Sequence, residues 1–186
     1  MTPSEFVAEA NVMKTLNHTN LLGLVSVSTT KEPILIITEL MVNGALHKYL
    51  MRRDQEKDLV RVEDLINMAA QVADGMAYLD MKKFVHRDLA ARNVLVGKNY
   101  HVKVADFGLA RLITKGGENA FDTSCKFAVK WTAPEAFLGN FSIKSDVWSF
   151  GILLSEIITH GKQPYPRKQA FCIPSRARQM HNVPVT

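Results

Sequence analysis

The chain has 186 residues, about half of them apolar, a formal charge of +5 and two cysteines. That length suits one sizeable core and is short for two, and Cys125 and Cys172 are too few for a disulfide framework, which fits a reducing, cytoplasmic setting. The most apolar stretch, Trp148 to Ile158, is broken by Ser149, Ser155 and Glu156, the first residues lack a secretory profile, and the cations are scattered, so no membrane span, leader or nucleic-acid partner is expected.

Thr2-Pro3-Ser4-Glu5 combines a capping threonine, a proline at the first helical position and a glutamate at the third, which predicts a helix carrying Phe6, Ala10, Met13 and Leu16 on one face. Leu21 to Val27 and Ile34 to Thr38 read as an antiparallel hairpin turned at 29–33. After Asn43-Gly44 the pattern becomes helical. Val62 to Leu79 is the strongest amphipathic helix, with apolar residues at 62, 65, 66, 69, 72, 73, 76 and 79. Short strands are expected at Phe84-Val85, Val94 to Val96 and Val102 to Val104, with a turn at Gly97-Lys98-Asn99. Leu112 to Lys126 reads as a polar loop, Ser145 to Thr159 as a buried helix, and the stretch after Pro166 as a loose tail.

Three strings stand in order on loops between these elements: His86-Arg87-Asp88-Leu89-Ala90-Ala91-Arg92-Asn93, Asp106-Phe107-Gly108 and Ala133-Pro134-Glu135. Singly, each has a bland reading, because Asp beside Gly is most often a turn signal and a lone histidine is most often structural. Together they resemble the catalytic half of a protein tyrosine kinase. Lys144-Ser145-Asp146-Val147-Trp148-Ser149-Phe150-Gly151 and Val104-Ala105-Asp106-Phe107-Gly108-Leu109-Ala110-Arg111 are similar to strings of the Src-like cytoplasmic, non-receptor type.

The resemblance implies an α+β, protein-kinase-like two-lobed fold. Residues 1–38 would be a remnant of the small lobe, one helix and a β hairpin; 39–44 the hinge; 45–166 a mainly helical large lobe lacking its last helices; and 167–186 a divergent, disordered tail. It also implies ATP and Mg2+. Phosphoryl transfer needs metal ligands, a group that orients the attacking hydroxyl and cationic clamps. By match, Asp88 is the catalytic base, Arg92 the cation that marks a tyrosine acceptor, and Asn93 and Asp106 the metal ligands. Thr38 corresponds to the gatekeeper of the adenine pocket, Glu39 and Met41 to its hinge contacts, and Leu95 to its floor. Glu9 corresponds to the helix glutamate that pairs the phosphate-binding lysine, and Met13, Leu24, His86 and Phe107 to a hydrophobic spine anchored by Asp146. Lys130-Trp131-Thr132-Ala133-Pro134-Glu135 resembles the shelf that supports a tyrosine peptide.

The pattern also departs from the family. No glycine-rich phosphate loop and no Val-Ala-Ile-Lys strand precede Glu9, which suggests a kinase domain truncated at both ends, with regulatory domains in a longer form. No tyrosine lies between Asp106 and Glu135, Phe121 standing near the expected place, and Ala128 replaces a shelf proline. The arginine that pairs Glu135 is missing, so an unpaired buried charge is expected there. Two readings result: an enzyme that phosphorylates tyrosine in protein substrates, or a catalytically impaired, pseudokinase-like binder that competes with the full-length kinase.

Overall fold

The computed structural model describes residues 3–28, 34–107, 110–112 and 128–166, without the side chains of 3–8 and of Arg111 and Leu112. Thr2, the turn at 29–33, the polar loop from 113 and the tail from 167 lie outside the described residues. Helix α1, Pro3–Thr15, begins on its proline, whose missing N–H is no loss in a first turn, and buries Ala10 and Met13. Strands β1, Leu24–Ser28, and β2, Leu35–Thr38, pair antiparallel with Leu24 opposite Thr38 and a bulge before Ser26. The hairpin is a separate two-stranded sheet whose Val25, Leu35 and Ile37 are exposed, as is Leu40 just beyond it.

Strand β1 starts three residues later than the apolar run because the segment before it belongs to another sheet. Buried Leu21 forms a parallel bridge with Val104, the Leu22 N–H donates to the Val104 carbonyl at 2.8 Å, and the Val104 N–H donates to the Asn20 carbonyl at 2.8 Å. Asn20 Nδ2 also donates to the Val102 carbonyl (2.9 Å) and to Gln71 Oε1 (3.2 Å). The linker to the hairpin is thus riveted to the larger part of the molecule, where buried polar groups need partners of this kind.

The larger part contains β3, Gly44–Ala45; α2, Leu46–Gln55; α3, Val62–Met81; β4, Phe84–Val85; β5, Val94–Val96; β6, Val102–Val104; β7, Arg111–Leu112; and α4, Ile143–Ile158. Strand β5 is central in an antiparallel β3-β5-β6 sheet, and β4 pairs with β7. Helix α3 buries Leu65, Met68, Val72, Gly75 and Leu79, a stripe rotated from the one the apolar pattern suggests, with Val62 and Ile66 exposed. Gly75 explains the rotation, because a Cβ there would lie 2.8 Å from the Asn20 carbonyl, and only glycine lets the riveted linker come so close.

Helix α4 is capped by Ser142, whose hydroxyl accepts from the Ser145 N–H while Ser145 Oγ accepts from the Ser142 N–H. It is not the uniformly buried helix expected from its composition. Its inner face carries Ser145, Asp146, Ser149 and Glu156 beside Leu153 and Ile157, while Val147, Trp148 and Ile158 are exposed. Two of those inward polar groups, Asp146 and Glu156, hold the segment between β4 and β5.

Candidate active site

That loop, residues 86–90, runs into a single 3-10 turn, Ala91–Asn93, with Leu89, Ala90 and Ala91 fully buried. Asp146 grips its start: Oδ2 accepts from the His86 N–H at 2.7 Å and Oδ1 from the Arg87 N–H at 3.0 Å. Arg87 has φ +71°, a left-handed conformation that a side chain resists, and this grip holds it there. Burial raises the Asp146 carboxyl above its ordinary value, against the pull of His86 and the two N–H donors. His86 Nε2 lies 3.1 Å from the Ala105 carbonyl and Nδ1 3.3 Å from the Asp88 N–H, so the Nε2–H tautomer serves both. Its ring is 5.7 Å from that of Phe107, which with Met13 lies in the core while Leu24 packs against it.

The next residues converge on Asp88. Asn93 Nδ2 donates to Asp88 Oδ2 at 2.7 Å and to the Asp88 carbonyl at 2.8 Å, and Arg92 Nη2 pairs with Asp88 Oδ1. Asp88, Arg92 and Asn93 therefore form one directly bonded cluster, partly open to solvent on the Asp88 and Arg92 side chains. With its nitrogen committed to Asp88, the Asn93 amide has its oxygen as the remaining ligating atom.

Asp106 reaches the cluster through the main chain. The Ala105 N–H donates to the Asn93 carbonyl at 2.8 Å, and Asp106, at φ +63°, is exposed between buried Ala105 and Phe107. Glu9 joins from α1: burial and then the Asp106 charge raise its carboxyl above the ordinary value, and a hydrogen bond from the Phe107 backbone opposes them. Among the described residues, no three His, Cys, Asp or Glu side chains gather as a metal cage. The donor set here is one amide oxygen and one carboxylate, which suits magnesium, an ion that keeps water and phosphate oxygens in most of its positions.

The hinge candidates lie between the hairpin and the β3-β5-β6 sheet. Thr38 is half-buried at the end of β2. The Glu39 N–H donates to the Gly23 carbonyl at 3.1 Å, while its Oε1 accepts from the Gly23 N–H and from Lys103 Nζ, both at 2.7 Å. Burial opposes ionisation of Glu39, but Lys103, the Gly23 N–H and His101 outweigh it and hold the carboxyl below its ordinary value. The Met41 carbonyl accepts from the Gly44 N–H, and Asn43 ties the segment to β5 through its N–H on the Val96 carbonyl (2.9 Å) and its Nδ2 on the Gly97 carbonyl (2.5 Å). Leu95 is half-exposed between fully buried Val94 and Val96, so it faces away from the core.

A family model for protein tyrosine and serine/threonine kinases matches residues 1–185. The chain belongs to this kinase family. It is 57% identical over 167 residues to tyrosine-protein kinase SRK2 of Spongilla lacustris and 54% identical over 168 residues to tyrosine-protein kinase FRK of Homo sapiens. It is 52% identical over 171 residues to tyrosine protein-kinase src-1 of Caenorhabditis elegans. Each match takes in 89% of this chain and, in that order, 45, 33 and 32% of the relative, so the chain spans a third to a half of the curated relatives it matches. The architecture is the protein-kinase fold, α+β with four helices among the described residues. None of these is long and apolar enough to cross a membrane.

In this kinase structure Glu135 is exposed, so the expected burial of an unpaired charge does not arise. The motif strings do not point to Glu156. It is buried on α4, and its Oε2 accepts from the Ala91 N–H at 2.9 Å and from Trp131 Nε1 at 2.8 Å. Burial raises its carboxyl above the ordinary value, opposed by these two donors and by Arg92. The sequence did carry a signal, a charged residue inside an otherwise apolar helix, which needs partners wherever it is buried.

Proposed function

We propose that this chain carries a tyrosine-kinase site that transfers the γ-phosphate of ATP to the hydroxyl of a tyrosine in a protein substrate. The observation that carries the reading is the Asp88 cluster, in which one carboxylate is fixed by Asn93 through one oxygen and by Arg92 through the other. A carboxylate so held can accept the proton of an incoming phenol without reorganising, and positioning of that kind is most of what phosphoryl transfer asks of a protein. Arg92 stands between Asp88 and the Trp131 ring, 4.8 Å from its centroid, where it can meet both the phenol and the phosphate.

Asn93 and Asp106 would hold magnesium, which when bound with ATP neutralises charge on the phosphates. Thr38, the backbone of Glu39 and Met41, and Leu95 would take the adenine, and Glu9 would stand where the family's helix glutamate pairs the phosphate-binding lysine. In this reading residues 1–38 belong to the small lobe, 39–44 are the hinge and 45–166 the large lobe, working in the cytoplasm on tyrosine-bearing proteins, with regulatory domains in a longer form.

The test is labelled ATP with a tyrosine peptide and its serine counterpart. Transfer to tyrosine alone, abolished by Asp88→Asn, is the expected result. Label on serine, or transfer unchanged by Asp88→Asn, refutes the assignment. A folded but silent wild-type chain favours the competing binder.

A further inference from the structure

Glu156 lies on α4 beyond the string at 144–151, yet it touches both segments that a peptide substrate would meet. One of its oxygens receives two donors: the Ala91 N–H, which opens the turn holding Arg92 and Asn93, and the indole N–H of Trp131. The Trp131 ring in turn lies under the Arg92 guanidinium at 4.8 Å, and Arg92 is bonded to Asp88. Ser149, two turns earlier on α4, donates its hydroxyl to the Trp131 carbonyl at 2.8 Å, so the same helix holds the tryptophan by backbone and by side chain. Burying a carboxylate is costly, and a helix that needed only packing would carry an apolar residue at this position. Two donors on one oxygen also define a direction, because moving either segment breaks a bond to the other's anchor.

We infer that Glu156 is a positioning residue: it locks the indole of Trp131 to the Ala91 turn and so fixes Arg92 in the orientation that serves Asp88 and the acceptor phenol. The inference rests on the tyrosine-kinase reading of the site. Glu156 never touches the reacting atoms. Its effect should fall on turnover and on the peptide side of the site, because the hinge is bonded through other groups and the Asn93 side chain is also held by Asp88.

The experiment uses the full chain and compares wild type, Glu156→Ala, Glu156→Gln and Trp131→Phe. Glutamine keeps a carbonyl oxygen that can accept both donors. Glu156→Ala should lower kcat about tenfold or more, the usual scale for a displaced positioning group, with KM for ATP unchanged. Glu156→Gln should recover most of that loss. Trp131→Phe keeps a ring under Arg92 but removes the indole donor, and should lose kcat in the same direction, which decides the matter if Glu156→Ala does not fold. Full turnover in Glu156→Ala, or Glu156→Gln as impaired as Glu156→Ala, overturns the inference. If the wild-type chain is silent, the kinase reading has failed instead, and the emission of Trp131 in a Trp148→Phe background still decides this one. Glu156→Ala must then redden that emission and open it to acrylamide while Glu156→Gln does not; unchanged emission overturns the inference.

Discussion

Replacing Asp146 by alanine should cost a large part of the chain's stability. Its two oxygens serve the His86 and Arg87 N–H groups at 2.7 and 3.0 Å, and the carboxylate is 4% exposed. Each buried donor left without a partner costs about 1–3 kcal/mol, so the pair accounts for roughly 3–5 kcal/mol, against a typical total of about 5–15 kcal/mol. Some of this is recovered as Arg87 leaves its left-handed backbone, about 1–2 kcal/mol, but only by letting the loop that carries Asp88 move. Urea unfolding followed by far-ultraviolet circular dichroism measures the sum. For a slope of about 2 kcal/mol per molar, the midpoint should fall by roughly 0.5–2 M. Asp146→Asn, which keeps one acceptor, should fall between the two. A midpoint within about 0.3 M of wild type in Asp146→Ala would refute the claim that the carboxylate holds the loop.

Gly161→Ala should destabilise by about 3 kcal/mol or more, since φ is +81° and a Cβ would lie 2.5 Å from the His47 carbonyl; the drop in thermal midpoint reads it. Gly75→Ala should lose less by the same measurement. Its Cβ would meet the Asn20 carbonyl at 2.8 Å, but alanine's helix preference returns about 1 kcal/mol; a gain in stability would contradict the close approach. Because the Glu156 carboxyl is raised in the fold, its contribution is complete below the ordinary 4.5 and is lost as pH rises through the folded value. Glu156→Gln should therefore gain in urea midpoint relative to wild type between pH 4.5 and 7. Glu39 has the opposite sign, its lowered carboxyl stabilising above 4.5 and less as pH falls. Lys103→Met should accordingly cost about 1 kcal/mol or less at pH 7 and nothing in acid, read from paired denaturation curves.

The strands at 84–85, 94–96 and 102–104 were legible because valine runs bounded by Gly97 and Asn99 admit little else, and the loops between them carried the motif strings. Asp88, Arg92 and Asn93 come together because the loop that carries Asp88 runs directly into the short 3-10 turn that carries the other two. The inner face of α4 was not legible. Periodicity follows apolar residues, and this helix turns Asp146 and Glu156 inward because the loop it supports offers them backbone N–H groups, and Ser149 inward onto the Trp131 carbonyl. Neither was the departure of Leu21 from the hairpin, since a β-rich run does not say which sheet it joins, and the choice here was made by Asn20 finding Gln71 and Val102.

Among the described residues the hairpin is a two-stranded sheet of its own, and this has a practical consequence. Two strands have two outer edges, and Leu35 and Ile37, two residues apart, present a greasy side to water next to them. Such a surface invites another molecule to add a strand, so self-association should grow with concentration and compete with the proposed phosphoryl transfer. Specific activity that falls as the sample is concentrated, and returns on dilution, would be its signature.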